Sequence, residues 1–133
     1  MKRAIVFLIA LSIIAGFSGC INKKTEETGK TEIMFQLVNP KDGSLSETKV
    51  IKDKKEVSSI QAVLKSIEWT RAYPKMARYP DVEFWVHVEG AKVGNKYQFW
   101  YNSKVSNILS MAQGLGDISK EDARTLVKLL LSK

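Results

Sequence analysis

The sequence predicts an α+β domain: an antiparallel sheet of four to five strands with two helices packed on one face, in the order β-β-α-β-β-β-α. Three observations lead there. Two segments repeat apolar residues at helical spacing behind a capping residue: Val57, Ile60, Leu64 and Ile67 follow Asp53, and Ala123, Leu126, Val127, Leu130 and Leu131 follow Ser119. Two segments, 82–89 and 96–102, alternate with period two, as half-buried strands do. The remaining strand candidates come in runs rather than singly between helices, which favours segregated layers over a parallel sheet. Each helix has one apolar stripe and each middle strand one apolar face, so two layers bury everything that needs burying.

The elements follow in order. Residues 32–38 (EIMFQLV) form the first strand, and Asn39-Pro40-Lys41-Asp42-Gly43 is a turn. Residues 45–51 return as its hairpin partner. Asp53 and Glu56 have capping-box spacing, and a helix runs from about Lys54 to about Trp69, with Val63 widening its stripe. Residues 69–81 (WTRAYPKMARYPD) hold two prolines and no clean period, and read as a loop. In the strand 82–89, Val82, Phe84, Val86 and Val88 make one face and Glu83, Trp85, His87 and Glu89 the other. A turn at 90–95 leads to the strand 96–102, with Tyr97, Phe99 and Tyr101 opposite Gln98, Trp100 and Asn102. Val105, Ile108, Leu109 and Met111 mark a short strand, Gln113-Gly114-Leu115-Gly116 a loop, and Ser119 with Asp122 a second cap opening the last helix. No internal repeat or low-complexity segment appears.

The first twenty residues carry an address. Lys2 and Arg3 precede an apolar run over residues 4–17, broken only by Ser12 and Gly16, and then Ser18, Gly19 and Cys20. This is the three-part shape of a secretory signal, and it is short of the roughly 20 apolar residues a membrane-spanning helix needs. Phe17-Ser18-Gly19-Cys20 resembles the lipobox of bacterial lipoproteins, with Phe17 standing where that family prefers Leu. The resemblance implies cleavage before Cys20 and a diacylglycerol on its sulfur, and two acyl chains anchor stably where one is marginal. The plainer alternative is an uncleaved anchor or an ordinary signal with a chance cysteine. The expected organisation is a signal peptide over 1–19, a lipidated Cys20 with a polar tether over 20–31, and one globular domain over 32–133. A loose tether of that length spans about 20 Å, so the domain stays near the bilayer, on the extracytoplasmic face of the cell membrane.

Charge and composition narrow the partners. The formal charge of +7 falls by two when Lys2 and Arg3 are removed. Outside the membrane that balance suits anionic headgroups or wall polymers, or serves solubility alone, and nucleic acid is excluded as a partner. One cysteine forms no internal disulfide, and with one histidine it leaves almost no ligands for zinc, so neither metal nor cofactor is expected.

Nine of the ten aromatic residues beyond Cys20 lie between Trp69 and Tyr101. A plausible hairpin register sets Trp85 opposite Trp100, His87 opposite Gln98 and Glu89 opposite Lys96, with Phe84–Tyr101, Val86–Phe99 and Val88–Tyr97 on the other face. Trp85, His87 and Trp100 then form a binding platform for a sugar chain, peptide or partner protein. The competing reading is a packed cross-strand pair, or a patch covered by the 70–81 loop, because tryptophan is more often buried than displayed. A second candidate is Arg71, Lys75 and Arg78, interleaved with Trp69, Tyr73 and Tyr79, a pattern that suits anionic ligands and membrane interfaces; its competitor is a solvated loop. Catalysis is not expected. There is no G-x-S-x-G, H-E-x-x-H or Gly-rich phosphate loop, and Glu83 and Glu89 stand about 20 Å apart on one strand face, too far for a glycosidase pair.

The capped helix, Tyr79-Pro80-Asp81 leading a strand, Tyr97-Gln98-Phe99-Trp100 in the next, and Ile118-Ser119 opening a final helix resemble the small YhfM-like lipoproteins of Gram-positive bacteria. The resemblance covers about residues 32–132 and implies no activity and no catalytic residues. The expected function is a lipid-anchored extracytoplasmic binding or accessory module of the cell envelope, with an envelope protein, a peptide or an anionic polymer as partner. The alternative is a structural or stress-related envelope lipoprotein acting only through protein contacts.

Overall fold

A computed structural model describes residues 30–132; the expected signal peptide, Cys20 and most of the expected tether lie outside the described residues. Seven strands form one antiparallel sheet: β1 Thr31–Leu37, β2 Lys49–Ile51, β3 Trp69–Thr70, β4 Val82–Val88, β5 Lys96–Trp100, β6 Ser106–Ser110 and β7 Gly114–Ile118. The helices are α1 Lys54–Ser66 and α2 Lys120–Leu126, and α2 runs into a π-helical turn at Val127–Leu131. The spatial order of strands is β2-β1-β4-β5-β6-β7-β3. The fold is α+β as expected, but the four to five strands become seven.

The sequence rules act locally as anticipated. The Asp53 carboxylate accepts from the backbone N–H groups of Lys55 and Glu56, and the Ser119 hydroxyl accepts from that of Asp122. Each satisfies donors that the first helical turn leaves open. Ile33, Phe35, Phe84, Phe99 and Ile108 on one sheet face join Val57, Ile60 and Val63 of α1 and Ala123 and Leu126 of α2 in one core. Phe35, Phe84 and Phe99 are almost wholly buried, each contributing about 1.5–3 kcal/mol.

Four expectations are corrected. The loop assigned to 113–116 is in fact mostly strand β7. Gly114 and Gly116 are there because backbone and side chains come too close for a Cβ: at Gly114 it would overlap the Thr70 carbonyl oxygen, and at Gly116 the Ile67 side chain. Helix α1 stops at Ser66 rather than near Trp69, because Ile67 is extended and Trp69–Thr70 pair with Gly116 and Leu115. The return strand 45–51 is interrupted. Val38 bridges Leu45, whereas Ile33 pairs with Ile51, so the returning chain holds one residue more between these points. That is a bulge, and it leaves only Lys49–Ile51 in regular pairing.

The fourth correction concerns the central hairpin. Trp85 faces Lys96, not Trp100, and Phe84 faces Tyr97, Val82 Phe99 and Glu83 Gln98. The register is displaced by four residues. Because four is even, every side chain keeps its expected face. The observed register is held by Gln98 Nε2 donating to Glu83 Oε1 at 2.8 Å and by the Lys96 ammonium, 3.5 Å from Glu83 Oε2 and 5.1 Å from the centre of the Trp85 ring.

Candidate functional site

The outer face, opposite the helices, does not assemble the expected platform. Trp85 is half-buried beneath Lys96 and lies beside Met34 of β1. His87 sits opposite Glu32 of β1 rather than Gln98. Trp100 lies further along β5, opposite Asn107 of β6, and only 5% of it is exposed. Its indole N–H donates to the Arg78 carbonyl at 2.9 Å. The segment 71–81 therefore acts as a strap. Tyr73 Oη donates to the carbonyl of Met111, just past one end of β6, and Arg78 meets Trp100 near the other end. The two tryptophans are separated, and one of them is covered.

The strap also explains Arg78. Its guanidinium forks onto the Asp81 carboxylate at 3.0 and 3.1 Å and donates to the Tyr79 and Tyr101 carbonyls. The Asp81 carboxylate also accepts from the Tyr101 N–H at 2.7 Å. Such planar, bidentate geometry is what Arg supplies best, and it fastens the strap's end to the end of β5. Arg71 and Lys75 stay exposed on the strap, apart from that clamp.

A different site lies on the helix side. Leu64, Ile67, Trp69, Val86 and Tyr97 line a groove of about 400 Å³ whose rim carries Gln61, Lys65 and Gln113. It lies beside the last turn of α1, where the chain leaves the helix at Ser66 and turns into β3. The rings are mutually ordered: Trp69 and Tyr97 centroids are 6.0 Å apart and tilted, and Phe84 stacks on Tyr97 at 5.3 Å. Burial pushes the Tyr97 hydroxyl above its ordinary pKa of 10.0, partly offset by a hydrogen bond with Asn95. An apolar floor with a few amide and ammonium groups at the edge is the usual make-up of a small-molecule seat. It can hold an apolar body and orient a polar head, and it presents no nucleophile–base pair.

Sequence reading missed this groove because its parts are scattered over α1, β3, β4, β5 and the β6–β7 turn. The one available signal was Trp69, a large aromatic two residues past Ile67, the last apolar residue of a helical stripe. Among the described residues no cluster of three His, Cys, Asp or Glu could hold a metal ion, and no helix is long and apolar enough to cross a membrane. The chain matches no family model, no curated protein and no solved structure.

Proposed function

We propose that the protein is a lipid-anchored extracytoplasmic binding module of the cell envelope, tethered through a diacylglycerol on Cys20 and taking an amphiphilic ligand in the groove beside α1. The observation that supports binding is that groove: Trp69, Val86 and Tyr97 form an ordered aromatic and aliphatic floor with Gln61, Lys65 and Gln113 at its edge. An apolar body lies against the rings, and the amides and the Lys65 ammonium meet a hydrogen-bonding or anionic head. The signal-like first twenty residues and the Phe17-Ser18-Gly19-Cys20 run support the address.

The test uses 1-anilinonaphthalene-8-sulfonate, an apolar ring system with an anionic head, and the chain expressed from Ile21 onward so that no acyl chain is attached. The dye is expected to bind saturably at one site. Leu64→Glu, which sets a carboxylate on the groove wall against the anionic head, is expected to abolish that binding with the circular dichroism spectrum unchanged; Leu109→Glu, on the outer face, leaves it intact. Equal dye binding by all three chains overturns the groove as the seat and favours a structural role through protein contacts.

A further inference from the structure

We infer that the end of the sheet formed by the β4–β5 and β6–β7 turns is a membrane-contacting surface, with Val93 and Met111 entering the lipid interface. This deepens the lipid-anchored reading and rests on it. The first observation is where the chain leaves the domain. Thr31 pairs with Val88, and the Lys30 carbonyl accepts from the Glu89 N–H at 3.1 Å. The segment that leads back to Cys20 therefore departs beside the β4–β5 turn. Ten residue-to-residue steps lead from Cys20 to Lys30 and reach at most about 35 Å when fully stretched. An anchor on so short a lead keeps this end nearest the bilayer.

The second observation is independent of the anchor. Met111 and Val93 are the two most exposed large apolar residues among those described, at 77% and 76%. They lie on separate turns, and both turns are at this same end of the sheet: Tyr97, just after the first, pairs with Ser110, just before the second. Leu45, Tyr79 and Val105, at the opposite end, are each roughly half covered, and Tyr79 rests on Gly43. Apolar tips that cover nothing in the domain have a purpose when a lipid surface covers them.

The third observation is charge. Lys30 and Lys92 flank the exit and the β4–β5 turn, and Arg71 begins the strap beside Gly114, against Glu89 as the acidic residue of the turn. Cations around an apolar tip favour anionic headgroups. The groove opens at this end as well, since Gln113 on its rim belongs to the β6–β7 turn. An amphiphile leaving the bilayer would meet Met111 and Gln113 first.

The experiment uses the full lipidated chain reconstituted in vesicles of phosphatidylglycerol and phosphatidylcholine. Cys20 is the only cysteine and its sulfur is taken up in the thioether to diacylglycerol, so a thiol-reactive fluorophore labels only an introduced cysteine. Val93→Cys, Met111→Cys, Val105→Cys and Leu45→Cys are labelled and quenched by nitroxides carried on the lipid. Positions 93 and 111 are expected to be quenched several-fold more strongly than 45 and 105. Equal quenching at all four positions, with the protein still sedimenting with the vesicles, overturns the oriented surface and leaves the anchor standing. Labelling of wild-type chain at Cys20, or failure to sediment with vesicles, overturns the anchor and the surface with it.

Discussion

Replacing Trp100 and Trp85 separately by alanine separates a covered tryptophan from a displayed one. Trp100 is 5% exposed, and its N–H is the donor to the Arg78 carbonyl at 2.9 Å. Trp100→Ala removes a nearly full indole from the sheet-to-strap contact, at a cost of about 3–5 kcal/mol. A domain of this size has about 5–15 kcal/mol in total, so the variant is at the edge of unfolding. Trp100→Phe keeps most of the ring and leaves the Arg78 carbonyl without its donor, at about 1–3 kcal/mol. Trp85 is half-buried and lies under an ammonium at 5.1 Å. An exposed cation–π contact is worth about 0.5–1 kcal/mol, and with partial loss of apolar cover Trp85→Ala comes to about 1–2 kcal/mol. The assay is urea unfolding of the unlipidated chain, followed by far-ultraviolet circular dichroism with a common slope. The predicted ranking is Trp100→Ala far below Trp85→Ala and wild type. Equal losses, or a Trp100→Ala loss below about 1 kcal/mol, would refute the strap as the reason Trp100 is buried.

Three further outcomes follow from the geometry. Gly114→Ala places a Cβ against the Thr70 carbonyl at φ +98°, so it is expected to detach β3 from β7, lowering stability by more than about 2 kcal/mol and speeding amide exchange at the residues of that pairing; unchanged exchange counts against the close approach. Tyr97 has a raised pKa from burial, so its stabilising effect is complete below pH 10 and is lost as the pH climbs through the folded value; phenolate absorbance should show a late tyrosine step above pH 10, and Tyr97→Phe should remove it. The Asp42 carboxylate is held below its ordinary 3.8 first by the Ser44 hydroxyl and then by the Ser44 N–H. Its contribution to the turn is therefore present above 3.8 and lost as the pH falls through the lowered value. Carbon-detected titration should place its midpoint below that of Ser44→Ala.

What the sequence made legible was what local rules determine. Asp53 and Ser119 cap their helices because a short side-chain acceptor two or three residues ahead of open N–H groups has little else to do. The faces of β4 and β5 were readable because alternation fixes parity. Register was not, because a shift of four leaves parity untouched and the choice falls to particular side-chain contacts: Glu83 with Gln98 and Lys96 across the hairpin, and the Arg78 carbonyl of the strap on Trp100. Strand β7 was hidden by Gly114 and Gly116, which mark a loop in isolation and a close approach of β3 in the fold. The basic–aromatic run was visible, but not that Arg78 would spend its whole fork on Asp81 and two carbonyls. The groove needed Trp69 and Tyr97, remote in sequence, to meet at 6.0 Å, and no single segment announces that.

Everything proposed about where the domain works depends on Cys20. Cells growing with radioactive palmitate, and expressing either the wild-type chain or Cys20→Ala, test it directly. The account predicts label on the wild-type protein, a smaller processed chain in the membrane fraction, and no label on Cys20→Ala. Equal labelling of the two chains, or an unlabelled wild type, would contradict it.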